Sequence, residues 1–141
     1  MAIRTASAKW TGNLQDGNGT MKLGSGAYEG NYSFDSRFGE GKGSNPEELI
    51  GAAHAGCFSM ALSAELSKAG HEPQNISTDA KVSLLKGDDG FEIKKIQLTT
   101  VANVPGISND EFQKIAEGAK NGCPVSKALK AVEIKLNASL A

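Results

Sequence analysis

Only two of the 141 residues are cysteine, and arginine is as scarce against thirteen lysines. A two-cysteine chain with no secretory signature does not hold a standing structural disulfide. Charge of one sign is lacking too: 15 basic residues stand against 16 acidic ones, scattered rather than blocked, for a net charge of −1. No field exists to hold a nucleic-acid backbone or an anionic membrane, so the expected partner is a small molecule or another protein. A long uncharged apolar run is also missing, because Glu47, Glu48, Glu65 and Lys68 bracket the most apolar segment. The N-terminal "MAIRTASAKW" lacks the apolar centre of a signal peptide, and the reading is a cytoplasmic protein. There the two cysteines are free thiols, metal ligands or a redox pair.

No linker, repeat or low-complexity block interrupts the chain, which is expected to form one domain over residues 1–141. Such a length buries about 68–70% of its unfolded surface and needs no covalent staple. Seventeen glycines, dense in the first third, cut "TMKL" and "NYSF" into turn-linked strands. A long helix starts near Pro46 and stops near "KAGHEP". "NISTDAKVSLLKG" and "FEIKKIQLTTVANV", separated by "DDG", read as a hairpin. "SNDEFQKIAEGAKNG" opens on a cap and reads as an amphipathic helix, and a short helix after "CPVSKALK" and a strand "VEIKLNAS" end the chain. This order argues for an α+β fold with mainly antiparallel pairing.

The long helix has no polar face. Leu49, Ile50, Phe58, Met60 and Leu62 are spread among glycines and alanines, so it must be covered all round. One small sheet covers one side, and the simplest cover for the other is a second copy of the chain: an obligate homodimer is expected.

Cys57 lies in the middle of that helix. A free cysteine packs well as a small hydrophobe; as a nucleophile it must be a thiolate, and mid-helix it gains little from the helix dipole. A cation is needed. Arg37, in "FDSRFGEGKG", is expected at the end of a strand before a glycine-rich turn that lets it move, and an inward guanidinium needs a carboxylate. In "NPEE", Asn45 suits the N-cap, Pro46 the first helical position and Glu48 the capping box, which leaves Glu47 for Arg37. Glu47 is about 15 Å along the helix from Cys57, so a site shared between antiparallel helices of a dimer is expected. Cys123 stands just before Pro124, a good first helical residue.

"NPEELIGAAHAGCFSMAL", with an arginine twenty residues before its cysteine and "GCPVSKAL" placing a second cysteine 66 residues after it, resembles the osmotically inducible protein C (OsmC) family, sister to the organic hydroperoxide resistance (Ohr) proteins. The resemblance covers essentially the whole chain. It implies an intertwined homodimer with two long central helices wrapped by sheets, and a thiol-dependent peroxidase preferring organic hydroperoxides over hydrogen peroxide, in a stress response. It further implies that Cys57 is the peroxidatic and Cys123 the resolving cysteine, with Arg37 and Glu47 as the activating ion pair. Ohr proteins carry their arginine earlier, near the region that here reads "TGNLQDGNG"; the spacing of this chain is that of the OsmC branch. Cys57 would pass through a sulfenic acid to a Cys57–Cys123 disulfide, reduced by an external dithiol for which a lipoylated carrier protein is the resemblance-based choice. No cofactor and no metal is called for. Phe58 and Met60, close in sequence to Cys57, suit an alkyl or aryl group.

Two rival readings compete. His54, Cys57, His71 and Cys123 form an N₂S₂ donor set on paper, with His54 and Cys57 at i and i+3 on a helix. A noncatalytic dimer that binds a lipid or small molecule in an apolar interface pocket is the other.

Overall fold

The computed structural model describes all residues, Met1–Ala141, and divides into two compact units, Met1–Leu49 and Ile50–Ala141. In the first unit β1 (Ala6–Thr11), β2 (Asn18–Leu23) and β3 (Glu29–Ser33) form an antiparallel sheet in chain order. The chain then turns into a short helix, α1 (Phe34–Phe38). Its start is fixed by two serines: Ser33 Oγ accepts from the Ser36 N–H, and Ser36 Oγ accepts from the Ser33 N–H. Arg37 therefore sits in a helix, and the expectation of a strand end there is corrected.

The glycines after Arg37 are required by close approaches. The N–H groups of Gly39 and Gly41 both donate to the Asp35 carbonyl, and side chains at either position would run into Asp35. Gly43 has φ +123°, with the Asn31 carbonyl 2.8 Å from where a Cβ would stand.

The long helix, α2 (Pro46–Lys68), begins as expected: Asn45 Oδ1 accepts from the Glu48 N–H at 2.8 Å, and Pro46 takes the first helical position. Its buried residues fall on one stripe, Glu47, Gly51, His54, Phe58, Leu62 and Leu66, at steps of three and four. The opposite face, Ala52, Ala53, Gly56, Met60 and Ala64, is exposed. Met60 is 76% exposed and so belongs to that face. By length and composition α2 is apolar enough to cross a membrane despite its bracketing charges, with 28% of its most apolar stretch buried within the chain. The core helix of a globular protein passes the same test.

In the second unit β4 (Asn75–Gly87) and β5 (Gly90–Asn103) pair as the expected hairpin across Asp88 and Asp89, with a register shift at Ser83/Leu84. Ile96, Leu98, Thr100 and Ala102 alternate along β5 as its buried face. Ile96, Leu98 and Ala102 share one apolar cluster with Phe58, Leu62 and Leu66 of α2 and with Phe112 and Ala116 of α3 (Asn109–Gly122). The buried Thr100 hydroxyl is satisfied by the Ser77 carbonyl and Thr78. A five-residue helix, α4 (Pro124–Ala128), follows α3 at once and lies within "CPVSKALK" rather than after it. The last strand, β6 (Glu133–Leu140), pairs with β5 in parallel. The α3–α4 segment between them is a crossover connection, which parallel pairing requires. The remaining three strand pairs are antiparallel.

Candidate active site

Two side-chain pairs that the sequence singled out are formed, one in each unit. In the first unit Arg37 leaves α1 and meets Glu47 in the first turn of α2. Nη2 donates to Oε1 at 2.7 Å, and Nε lies 3.2 Å from both carboxylate oxygens. Glu47 is only 8% exposed, and Asn45 ties the two helix starts together by donating to the Ser36 carbonyl. The guanidinium also lies over the Phe38 ring, 5.3 Å from its centroid. A planar cation held at its Nε edge by a carboxylate and backed by a ring has a fixed direction. Beside it, Trp10, Leu14, Tyr32, Phe34 and Phe38 wall a cavity of about 280 Å³ with Arg37 as its one charged lining residue.

In the second unit Cys57 of α2 and Cys123, at the junction of α3 and α4, are free thiols with sulfurs 2.9 Å apart. Cys123 is buried, and its own N–H closes α3 by donating to the Ala119 carbonyl, while Pro124 starts α4 without needing a donor. The main chain is thereby turned so that Cys123 Sγ receives the N–H groups of Val125 and Ser126.

The contact alone lets either sulfur donate to the other; the surroundings decide. Burial pushes the Cys57 thiol up, the bond to Cys123 adds to this, and the Val125 N–H only partly opposes it. Burial acts upward on Cys123 as well, but bonds from Cys57, from the Ser126 N–H and hydroxyl and from the Val125 N–H outweigh it and bring that thiol below its ordinary value. Of the pair, Cys123 is the sulfur favoured as thiolate and Cys57 the donor. No cationic side chain is among the groups that shift Cys57, so the cation expected beside it does not come from those groups.

The proposed metal set is not assembled. His54 Nε2 lies 2.7 Å from Ser126 Oγ, and His71 Nε2 lies 3.2 Å from Glu111 Oε2; no three His, Cys, Asp or Glu side chains come together to hold an ion. Phe58, expected near the reacting groups, lies wholly in the core. The sequence reading passed over Ser126, and its signal was weak: a serine three residues after Cys123, and 72 from the histidine it touches.

With this geometry in hand, comparison with known proteins assigns a family. The family model for OsmC-like proteins matches residues 39–137. The chain is 51% identical over 138 residues to peroxiredoxin OsmC of Escherichia coli K12, covering 97% of this chain and 96% of that one. The chain belongs to the OsmC family. Both thiols and the Arg37–Glu47 pair, apart from Arg37, fall inside the matched OsmC segment. The related Ohr branch is also represented: organic hydroperoxide resistance protein OhrB of Bacillus subtilis is 37% identical over 101 residues, 67% of this chain and 68% of that protein. The OsmC fold is shared with the crystal structure of that same OhrB, at a TM-score of 0.71 and 26% identity over 95% of this chain and 97% of that one.

Proposed function

We propose that this OsmC-family chain is a cysteine-based peroxidase that reduces organic hydroperoxides to alcohols, with residues 1–141 acting as one domain. The observation that carries the reading is the pair of free thiols, 66 positions apart in sequence, with sulfurs 2.9 Å from each other. The S–S bond of a disulfide is about 2.05 Å, so the sulfurs need to close by about 0.9 Å. Membership of a family that includes a named peroxiredoxin and hydroperoxide resistance proteins supports the same chemistry.

In this mechanism Cys57 attacks the distal oxygen of ROOH, the O–O bond breaks, and the alkoxide leaves with a proton as ROH, giving a Cys57 sulfenic acid. Cys123 then attacks the sulfenic sulfur, the S–O bond breaks, and hydroxide leaves with a proton as water. The two thiol hydrogens end on alcohol and water, and the two electrons lost by the sulfurs reduce the peroxide. An external dithiol, for which a lipoylated protein is the candidate, restores both thiols by exchange. No metal or cofactor is needed.

Arg37 is the cation proposed for Cys57, oriented by Glu47. Burial and the neighbouring Cys123 both hold the Cys57 thiol up, so the first step depends on such a charge, which stabilises both the thiolate and the negative charge developing on the peroxide oxygens. The exposed small-residue face of α2 favours a homodimer in which the start of one α2 lies beside the middle of its partner, with the site shared between copies. The aromatic cavity beside Arg37 supports an alkyl or aryl substituent over hydrogen peroxide, in place of the part first given to Phe58 and Met60. We place this activity in the cytoplasm, within a peroxide stress response.

The test is loss of free thiol after one equivalent of cumene hydroperoxide is added to reduced protein. Rapid loss of two thiols per chain, faster than with hydrogen peroxide and absent in Cys57→Ser, is the expected result. Survival of both thiols for minutes would leave a noncatalytic binding dimer as the better reading.

A further inference from the structure

His54 is a fully buried histidine one helical turn before Cys57, and the mechanism above gives it nothing to do. Its Nε2 lies 2.7 Å from Ser126 Oγ, and Ser126 is hydrogen-bonded through its hydroxyl to Cys123, which in turn lies 2.9 Å from Cys57. The four side chains make one continuous line, His54, Ser126, Cys123, Cys57, buried at its first three members and half-buried at Cys57.

The direction of that line follows from counting protons. A serine hydroxyl has one proton to give and two lone pairs with which to accept. When Cys123 is a thiolate it can only accept, so the Ser126 proton points at sulfur and Ser126 Oγ must accept from His54. His54 is then the neutral Nε2–H tautomer. The other ring nitrogen supports this assignment: Nδ1 is buried with no hydrogen-bond partner. As an acceptor it leaves a lone pair unused; as N–H it would be a buried orphan donor, the rarer and costlier case. Burial also holds His54 below its ordinary pKa, so it stays neutral and gives direction to a hydrogen bond instead of taking a proton.

We propose that His54 is a positioning residue for the resolving step: its Nε2–H turns the Ser126 hydroxyl toward Cys123 and so keeps Cys123 the nucleophile that closes the disulfide. The inference rests on the peroxidase reading for its consequence, but its physical core, the direction of the hydrogen bonds on Cys123, is measurable without any peroxide. In the closure step the Cys123 thiolate forms the S–S bond as the S–O bond of the Cys57 sulfenic acid breaks, and the leaving hydroxide takes a proton to become water. His54 touches no reacting atom. The groups that face Cys123 are Cys57 from α2 and Ser126 and the Val125 N–H from α4, with His54 acting on it through Ser126.

The experiment has two arms. In the first, ultraviolet thiolate absorbance is followed against pH in a Cys57→Ser background, where Cys123 is the only thiol and the serine hydroxyl replaces the Cys57 donor. Adding His54→Leu or Ser126→Ala is expected to raise the Cys123 midpoint by about one pH unit, roughly a tenfold loss of thiolate fraction at fixed pH. His54→Gln, whose amide N–H replaces Nε2–H, is expected to restore most of it. In the second arm, native Cys57 is retained and sulfenic acid formation and disulfide closure are timed separately after cumene hydroperoxide. His54→Leu should not slow sulfenic acid formation, since a less ionised Cys123 only eases the upward push on Cys57, but should slow closure about three- to fourfold, because the more basic sulfur is also the better nucleophile and offsets part of the loss. An unmoved Cys123 midpoint in both His54→Leu and Ser126→Ala overturns the proposal, as does a His54→Gln variant no better than His54→Leu. Should His54→Leu fail to fold, Ser126→Ala and His54→Gln carry the test. A wild-type chain that consumes no peroxide would sink the peroxidase reading while leaving the first arm to decide the hydrogen-bond direction.

Discussion

At the scale of the residue, pairs matter more than single groups. Arg37 and Glu47 are ten positions apart and bring their charges together because Asn45, just before α2, donates to the Ser36 carbonyl of α1; Cys57 and Cys123 meet because Pro124 starts a new helix just after α3 closes. His54 is the residue whose protonation can be read from stability alone. Its folded pKa is depressed by burial from 6.5, so below that pH the unfolded chain binds a proton that the folded chain refuses. Stability is therefore present in full above about pH 6.5 and falls as pH drops, by at most about 1.4 kcal/mol per pH unit, until the folded pKa is reached. Denaturant unfolding of wild type and His54→Gln between neutral and mildly acidic pH is expected to give the steeper loss in wild type; equal slopes would show that His54 does not titrate on unfolding. The sequence made both cysteines, Arg37 and Glu47 visible, since rare residue types in a spaced pattern invite a chemical reading. It could not show the His54–Ser126 bond, because nothing in a one-dimensional chain marks which common serine a distant helix will bring to a ring nitrogen.

At the scale of the element, α2 is organised by what touches it and not by which of its residues are polar. Apolar residues are spread around its circumference, so its period is hidden in the sequence, yet one stripe from Glu47 to Leu66 is buried and the other face is open. Gly51 lies on the buried stripe, where a Cβ would come within 3.3 Å of Val82 and 3.6 Å of Ala80 on β4. Gly51→Leu is expected to overpack this contact and lower unfolding stability by about 1–3 kcal/mol, checked by urea denaturation. The hairpin β4–β5 and helix α3 were legible because alternation and capping leave strong local patterns. Three features were not. α1 is a five-residue helix too short to show a period, and β1 alternates Ala6, Ala8 and Trp10 with polar residues, but two of those three apolar side chains are alanines and the strand is exposed along most of its length, so its signal is weak. The parallel pairing of β6 is decided by the crossover before it, a property of chain path and not of β6 itself.

At the scale of the whole molecule, the open face of α2 is the surface on which the proposed homodimer would be built. Gly56 stands in its middle with no heavy atom within 4 Å of an added Cβ, so a side chain there costs the isolated chain nothing in contacts. Gly56→Glu is expected to convert a micromolar dimer to a monomer in sedimentation while far-ultraviolet circular dichroism retains the helix signal, since Glu is a better helix former than Gly. A dimer that survives this substitution would have to be built on another face.

The closeness of Cys57 and Cys123 has a consequence for the unfolded chain as well as for the folded one. A bond between them would tie α2 to the start of α4 and close a loop of about 66 residues, which in the chain-entropy account restricts the denatured ensemble by about 4 kcal/mol. Each turnover would thus pass the molecule through a cross-linked form that melts higher and a thiol form that melts lower. Heat resistance itself would then report the oxidation state of the population.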